Sequence, residues 1–88
     1  MSAARQPDLT EIEAQFVALL DGRMTRDEVD RWAGRWLTDD RLSWNKLSLW
    51  ALDLLFGIDL RHGPDGDYLH DDAQVRGWLV EFRSRRAG

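Results

Sequence analysis

The residues of this chain with the plainest capacity for chemistry are His62, His70, Asp71 and Asp72, because imidazole nitrogens and carboxylate oxygens are competent ligands for zinc and related ions. Their positions argue against a site. Asp71 and Asp72 open a helical pattern, where free first-turn amides and the positive end of the dipole favour acids whether or not a metal is present. No metal is expected. Paired carboxylates do acid–base work where burial separates their proton affinities, and Asp39-Asp40 and Asp71-Asp72 fall at loop or cap positions expected in water. There is no cysteine, hence no disulfide framework, thiolate site or cysteine nucleophile, and no serine elbow stands near a histidine. Gly63-Pro64-Asp65-Gly66 is a turn rather than a phosphate cradle, since it lacks a lysine and a glycine-rich helix entry. The chain reads as non-enzymatic and free of cofactors.

The elements that would position these groups are helical. Eighty-eight residues make one domain, with residues 1–8 expected as a flexible tail and 9–88 as a single all-α unit. Thr10-Glu11-Ile12-Glu13 has the form of a capping box, followed by Ile12, Phe16, Leu19 and Leu20 at helical spacing and by Gly22 as terminator. Thr25-Arg26-Asp27-Glu28 is a second box, with Met24 and Val29 placed as a hydrophobic staple and Val29, Trp32, Ala33, Trp36 and Leu37 on one face. The short link between Gly22 and Thr25 predicts that the first two helices form an antiparallel pair. Ser43 or Asp40 can cap a third helix closed by Gly57, and Ile58–Arg61 and Asp67–His70 flank a turn that reads as a loop or small hairpin. Asp71 then begins a last helix whose inner face is Val75, Trp78, Leu79 and Phe82. Its closing Arg83, Arg85 and Arg86 suit the negative end of the dipole. Five tryptophans are expected to supply much of the core.

The third helix lies within the most apolar stretch, Trp44–Leu60. At 100° per residue, Trp44, Leu47, Ala51, Leu54 and Leu55 share one side, while Leu49, Leu52 and Phe56 lie on another. A helix apolar nearly all round must be buried nearly all round. Either helix three sits centrally within the domain, or Leu49, Leu52 and Phe56 are covered by a second copy or a different partner. The stretch is too short for a membrane span and holds Asp53 at its middle, and no secretory leader is evident, so a cytoplasmic location is expected.

The net charge is −4, with 16 acids against 12 bases, which repels a phosphate backbone unless the charges segregate. The region from Asp53 to Asp72 holds six acids against Arg61 alone, and the closing RSRRAG is the only basic cluster. Helices one and two mix Glu11, Glu13, Asp27, Glu28 and Asp30 with Arg23, Arg26, Arg31 and Arg35, unlike a reading helix that concentrates positive charge. Nucleic acid is therefore not expected as a partner. Asp59, Asp65, Asp67, Asp71 and Asp72 surround Tyr68, a combination of acidic rim and aromatic anchor that fits a basic protein.

The openings LTEIEAQFVALL and TRDEVDRW, with the ending DLRHGPDGDYLHDDAQVRGWLVEF, resemble the colicin-type nuclease immunity proteins, small acidic four-helix inhibitors of a basic toxin domain. The resemblance covers about half the chain and implies Asp27, Glu28 and Asp30 as binding candidates. That family has a very short third helix bearing paired tyrosines; here the region is long and rich in Trp and Leu, and only Tyr68 is available. The sequence thus predicts a compact four-helix domain acting as an inhibitor, immunity or antitoxin protein. Its partner surface would be Asp59, Asp65, Asp67, Tyr68, Asp71 and Asp72, joined by Leu49, Leu52 and Phe56, and the alternative is a self-associating accessory protein using helix three.

Overall fold

Each helix starts where a short polar side chain can take up amides that the first turn leaves unpaired. The computed structural model describes residues 6–64 and 66–88 and holds four helices: α1 (Leu9–Leu20), α2 (Arg26–Leu37), α3 (Lys46–Leu55) and α4 (Asp72–Ala87). Among the described residues no helix is long and apolar enough to cross a membrane.

The capping box of α2 is as the sequence predicts, with Thr25 Oγ1 accepting from the Glu28 amide at 3.1 Å and Glu28 accepting from the Thr25 amide at 2.8 Å. For α1 the box lies two residues earlier. Asp8 accepts from the Glu11 amide at 2.9 Å and Glu11 accepts from the Asp8 amide, while Thr10 and Glu13 serve a different end described below. Of the tail expected over residues 1–8, Gln6 donates to the Ser43 carbonyl, Pro7 is buried and Asp8 is this cap; residues 1–5 lie outside the described residues. At the other end of α1, Gly22 takes φ +78°, and the Gly22 and Arg23 amides donate to the Leu19 and Ala18 carbonyls. This is a Schellman closure that a residue with a β-carbon would strain. The cap of α3 is Asn45, whose Oδ1 accepts from the Ser48 amide at 2.7 Å, rather than Ser43 or Asp40. Asp71 caps α4 as expected, accepting from the Gln74 amide at 2.8 Å, while the Gln74 side chain bonds the His70 ring.

α1 packs mainly on α4 and α2 mainly on α3. The sequential pair α1–α2, which the short link made the natural partners, touches least among the pairs in contact. The core is built from Ile12 and Phe16 of α1, Val29 and Ala33 of α2, Ala51, Leu52 and Leu55 of α3, Ile58 beyond it, and Val75, Leu79 and Phe82 of α4. Phe16 and Phe82 meet with ring centroids 5.8 Å apart. Each large side chain removed from water here contributes roughly 1.5–3 kcal/mol. The tryptophans line the margin of this core: Trp32, Trp44, Trp50 and Trp78 are only partly buried. A ring that large with one N–H to satisfy sits more readily at an edge than at a centre.

Helix α3 is shorter than its apolar run. Trp44 precedes it, and the buried face, Ser48, Ala51, Leu52 and Leu55, runs between the two apolar sets that the sequence separates. Leu52 is therefore core, and of the second set only Leu49 and Phe56 reach the surface, about half exposed. The Phe56 ring lies so close to Gly34 on α2 that a β-carbon there would come within 2.9 Å of it. Beyond α3, Gly57 turns the chain at φ +91° and donates its amide to Asp30 of α2 at 2.6 Å. The segment before α4 is a loop pinched by one antiparallel bridge, Arg61 to Tyr68, with amide bonds from His62 to Asp67 and from Leu69 to Leu60.

Candidate functional site

Three of the loop residues chosen from sequence, Tyr68, Asp71 and Asp72, have partners within the fold. Asp71 caps α4, and Asp72 pairs with Arg26 at 2.8 Å. The Tyr68 ring is held between two guanidinium groups, Arg26 at 4.2 Å and Arg61 at 4.6 Å, and Arg61 donates to its hydroxyl at 3.0 Å. Asp67 is exposed and Asp59 half-buried, and Asp65 lies outside the described residues. Asp67, Tyr68, Asp71 and Asp72 do share one open cleft with Arg26 and His62, but Leu49, Leu52 and Phe56 do not line it. Among the described residues no three His, Asp or Glu side chains gather as a metal-holding group.

Arg26 is the residue that sequence reasoning missed. Its side chain is 9% exposed, and one terminal nitrogen donates to both the Ile58 and His70 carbonyls, at 3.1 and 2.8 Å, while the other pairs with Asp72. A planar guanidinium satisfies three acceptors in fixed directions while stacking on an aromatic face, which lysine cannot do. The group therefore ties the start of α2 to the loop and to the start of α4. Nothing local announces it, because its partners lie 32 to 46 positions further along the chain.

The remaining cations divide into paired and unpaired. Arg23, Arg31 and Arg41 each pair with a nearby aspartate on their own element or loop. The Arg41 pair holds the Asp39 carboxyl below its ordinary range through two kinds of hydrogen bond, side chain first, just as the Thr25 amide and hydroxyl lower Glu28. On α4, Arg83 and Arg86 share Glu13 of α1, at 3.1 and 3.3 Å, and Arg86 also donates to Thr10 at 2.7 Å. The two residues that look like a helix cap in the sequence thus clamp α1 to the end of α4. Arg85 pairs with Glu81 and lies over the Trp50 ring at 4.5 Å. Arg76 is exposed and makes no ion pair among the described residues; Asp72, the acid one turn before it, is engaged by Arg26.

Charge is therefore unevenly distributed. From residue 73 to the C-terminus stand Arg76, Arg83, Arg85 and Arg86 against Glu81 alone, in a chain of net charge −4. The basic ending was visible in the sequence. Weighing it helix by helix, instead of through the total and through helices one and two, is the signal that reveals a cationic element.

The domain is thus all-α, with four of its arginines gathered on α4. Residues 1–82 match the model of the family described as YxzC DNA-binding protein, and the chain belongs to that family. A curated relative, Uncharacterized protein YxzC of Bacillus subtilis (strain 168), is 31% identical over 78 residues. That alignment takes in 88% of this chain and spans 63% of the relative's length. No solved structure matches the chain.

This membership corrects three expectations. The resemblance to colicin-type immunity proteins does not stand, since it rested on caps and turns that helical domains of this size share. The role built on it, an inhibitor of a basic protein, falls with it, and so does the alternative role of a self-associating accessory protein, which rested on the apolar third helix. The exclusion of nucleic acid also falls, because it weighed total charge and the mixed surfaces of α1 and α2 rather than α4.

Proposed function

We propose that this domain binds duplex DNA, with α4 as the element that meets the phosphate backbone. Beside the family membership, the observation that carries the reading is the concentration of Arg76, Arg83, Arg85 and Arg86 on one helix of an otherwise acidic molecule. Cations gathered on one element draw a polyanion toward it, and the acid-rich stretch from Asp53 to Asp72 is disfavoured for contact, so charge biases the approach toward α4. The family description names binding and no reaction, which supports a binding protein rather than an enzyme, and a DNA partner fits work in the cytoplasm.

The test is fluorescence anisotropy of a labelled random-sequence duplex across a range of salt concentrations. Binding at low salt is expected, with the logarithm of affinity falling linearly against the logarithm of salt, by about 0.9 for each phosphate neutralised. The substitution Arg85→Glu weakens binding. No binding at the lowest salt overturns the reading, and an affinity unmoved by Arg85→Glu removes the basic end of α4 from it.

A further inference from the structure

We propose, resting on the DNA-binding reading, that α4 enters the major groove by its outward face, with Gly77 and Val80 at the closest approach and Arg76 reaching the phosphate wall. At 100° per residue, Ala73, Gly77, Val80 and Ser84 fall opposite the buried Val75, Leu79 and Phe82, and all four are exposed. Val80, 67% exposed, is the most exposed large apolar residue described.

Gly77 has no reason inside the fold. It lies in the interior of the longest helix and is not among the glycines with positive φ, and a β-carbon built on it meets nothing within 4 Å. Gly34 makes the contrast, since there a β-carbon would press on Phe56. A helix-weakening residue with open space before it gains its use from what comes to that space, and glycine lets another molecule approach the backbone closely.

Arg76 is also unexplained from within. It stands in the second turn of α4, is exposed, and has no acid partner among the described residues. The acid on the far edge of this face, Glu81, is neutralised by Arg85. An uncompensated cation beside a slim helical surface complements a groove walled by phosphates, and the major groove, about 12 Å wide, admits one α-helix.

The test uses the full chain and a fluorescein-labelled random-sequence duplex, with thermal melting measured alongside anisotropy. Gly77→Leu is expected to melt no lower than the parent, since leucine favours helix and meets nothing, yet to bind about tenfold more weakly or worse. Arg76→Ala leaves melting unchanged and lowers the salt slope by about one. Gly77→Ala raises melting and leaves affinity little changed. If Gly77→Leu melts lower than the parent, the glycine is structural and the proposal is overturned. If the parent binds duplex but Gly77→Leu and Arg76→Ala bind as it does, α4 does not enter the groove while the DNA-binding reading stands. If the parent does not bind, the broader reading itself fails.

Discussion

Arg26 and Arg76 are the same residue type, each near the start of a helix, and the fold puts them to opposite uses. Arg26 turns inward and satisfies two carbonyls, one carboxylate and one aromatic face. Arg76 is exposed and has no acid partner among the described residues, and Asp72, the acid one turn before it, is held by Arg26. Leu52 and Leu49 make the same contrast among apolar residues: three positions apart on α3, one is sealed in the core and the other is about half exposed. Residue type and helical phase do not separate such pairs; the inventory of partners does.

The largest expected effect sharpens the leucine comparison. Leu52→Ala is expected to destabilise the domain by about 2–5 kcal/mol, and Leu49→Ala by less than about 0.5 kcal/mol, as measured by urea unfolding. Similar values for the two would contradict the burial described. Next comes Arg26→Ala, which strips two carbonyls of their donor and leaves Asp72 without its partner. Allowing for the exposure of Asp72, the expected cost is about 2–3 kcal/mol, with Arg26→Lys recovering less than half. Because Asp72 is then released one turn from Arg76, this variant also weakens DNA binding while folded, which anisotropy below its melting transition detects. A smaller effect follows from Glu13→Gln, which frees Arg83 and Arg86 from their shared acid. Stability falls by less than about 1 kcal/mol, and affinity for duplex rises at low salt. Unchanged affinity would show that those two arginines do not face the DNA. Smallest is a pH effect at the start of α2. Bonds from Thr25 lower the Glu28 carboxyl, so its contribution is present above the ordinary glutamate value and is lost as pH falls through the depressed one. Glu28→Gln should therefore flatten the acid limb of the stability curve slightly; an identical limb in the variant would deny the cap its charge.

What the sequence made legible was local. The four helices, the Thr25 box, the Asp71 cap and the Gly22 closure depend on residues within a turn of one another, and their pattern can be read in order. The first cap shows where this stops. Asp8-x-x-Glu11 and Thr10-x-x-Glu13 both satisfy the pattern, and Thr10 and Glu13 are instead engaged by Arg83 and Arg86, 70 to 76 positions further on. Separation of 32 to 46 positions likewise hides Arg26, whose acceptors lie in the loop before α4 and at the first residue of that helix. The apolar excess of α3 was legible but its division was not, because Leu52 and Phe56 lie only 40° apart by phase and Gly34 on α2 is what lets the phenyl ring rest at the surface. The candidate site was the least legible part. Within the aspartate-rich turn and its surroundings, Asp71 caps α4, Asp72 pairs with Arg26 and Tyr68 lies between two guanidiniums, and no local pattern announces the last two of these roles.

Asp72 at one end of α4 and Arg83 with Arg86 near the other fasten the helix like a beam on two supports, with its span between them touching the core on one side only. A load applied at Gly77 is then carried to both ends without rotating the rod. In the proposed complex, the ordering that a recognition element ordinarily undergoes on contact would already have been met by these two attachments during folding.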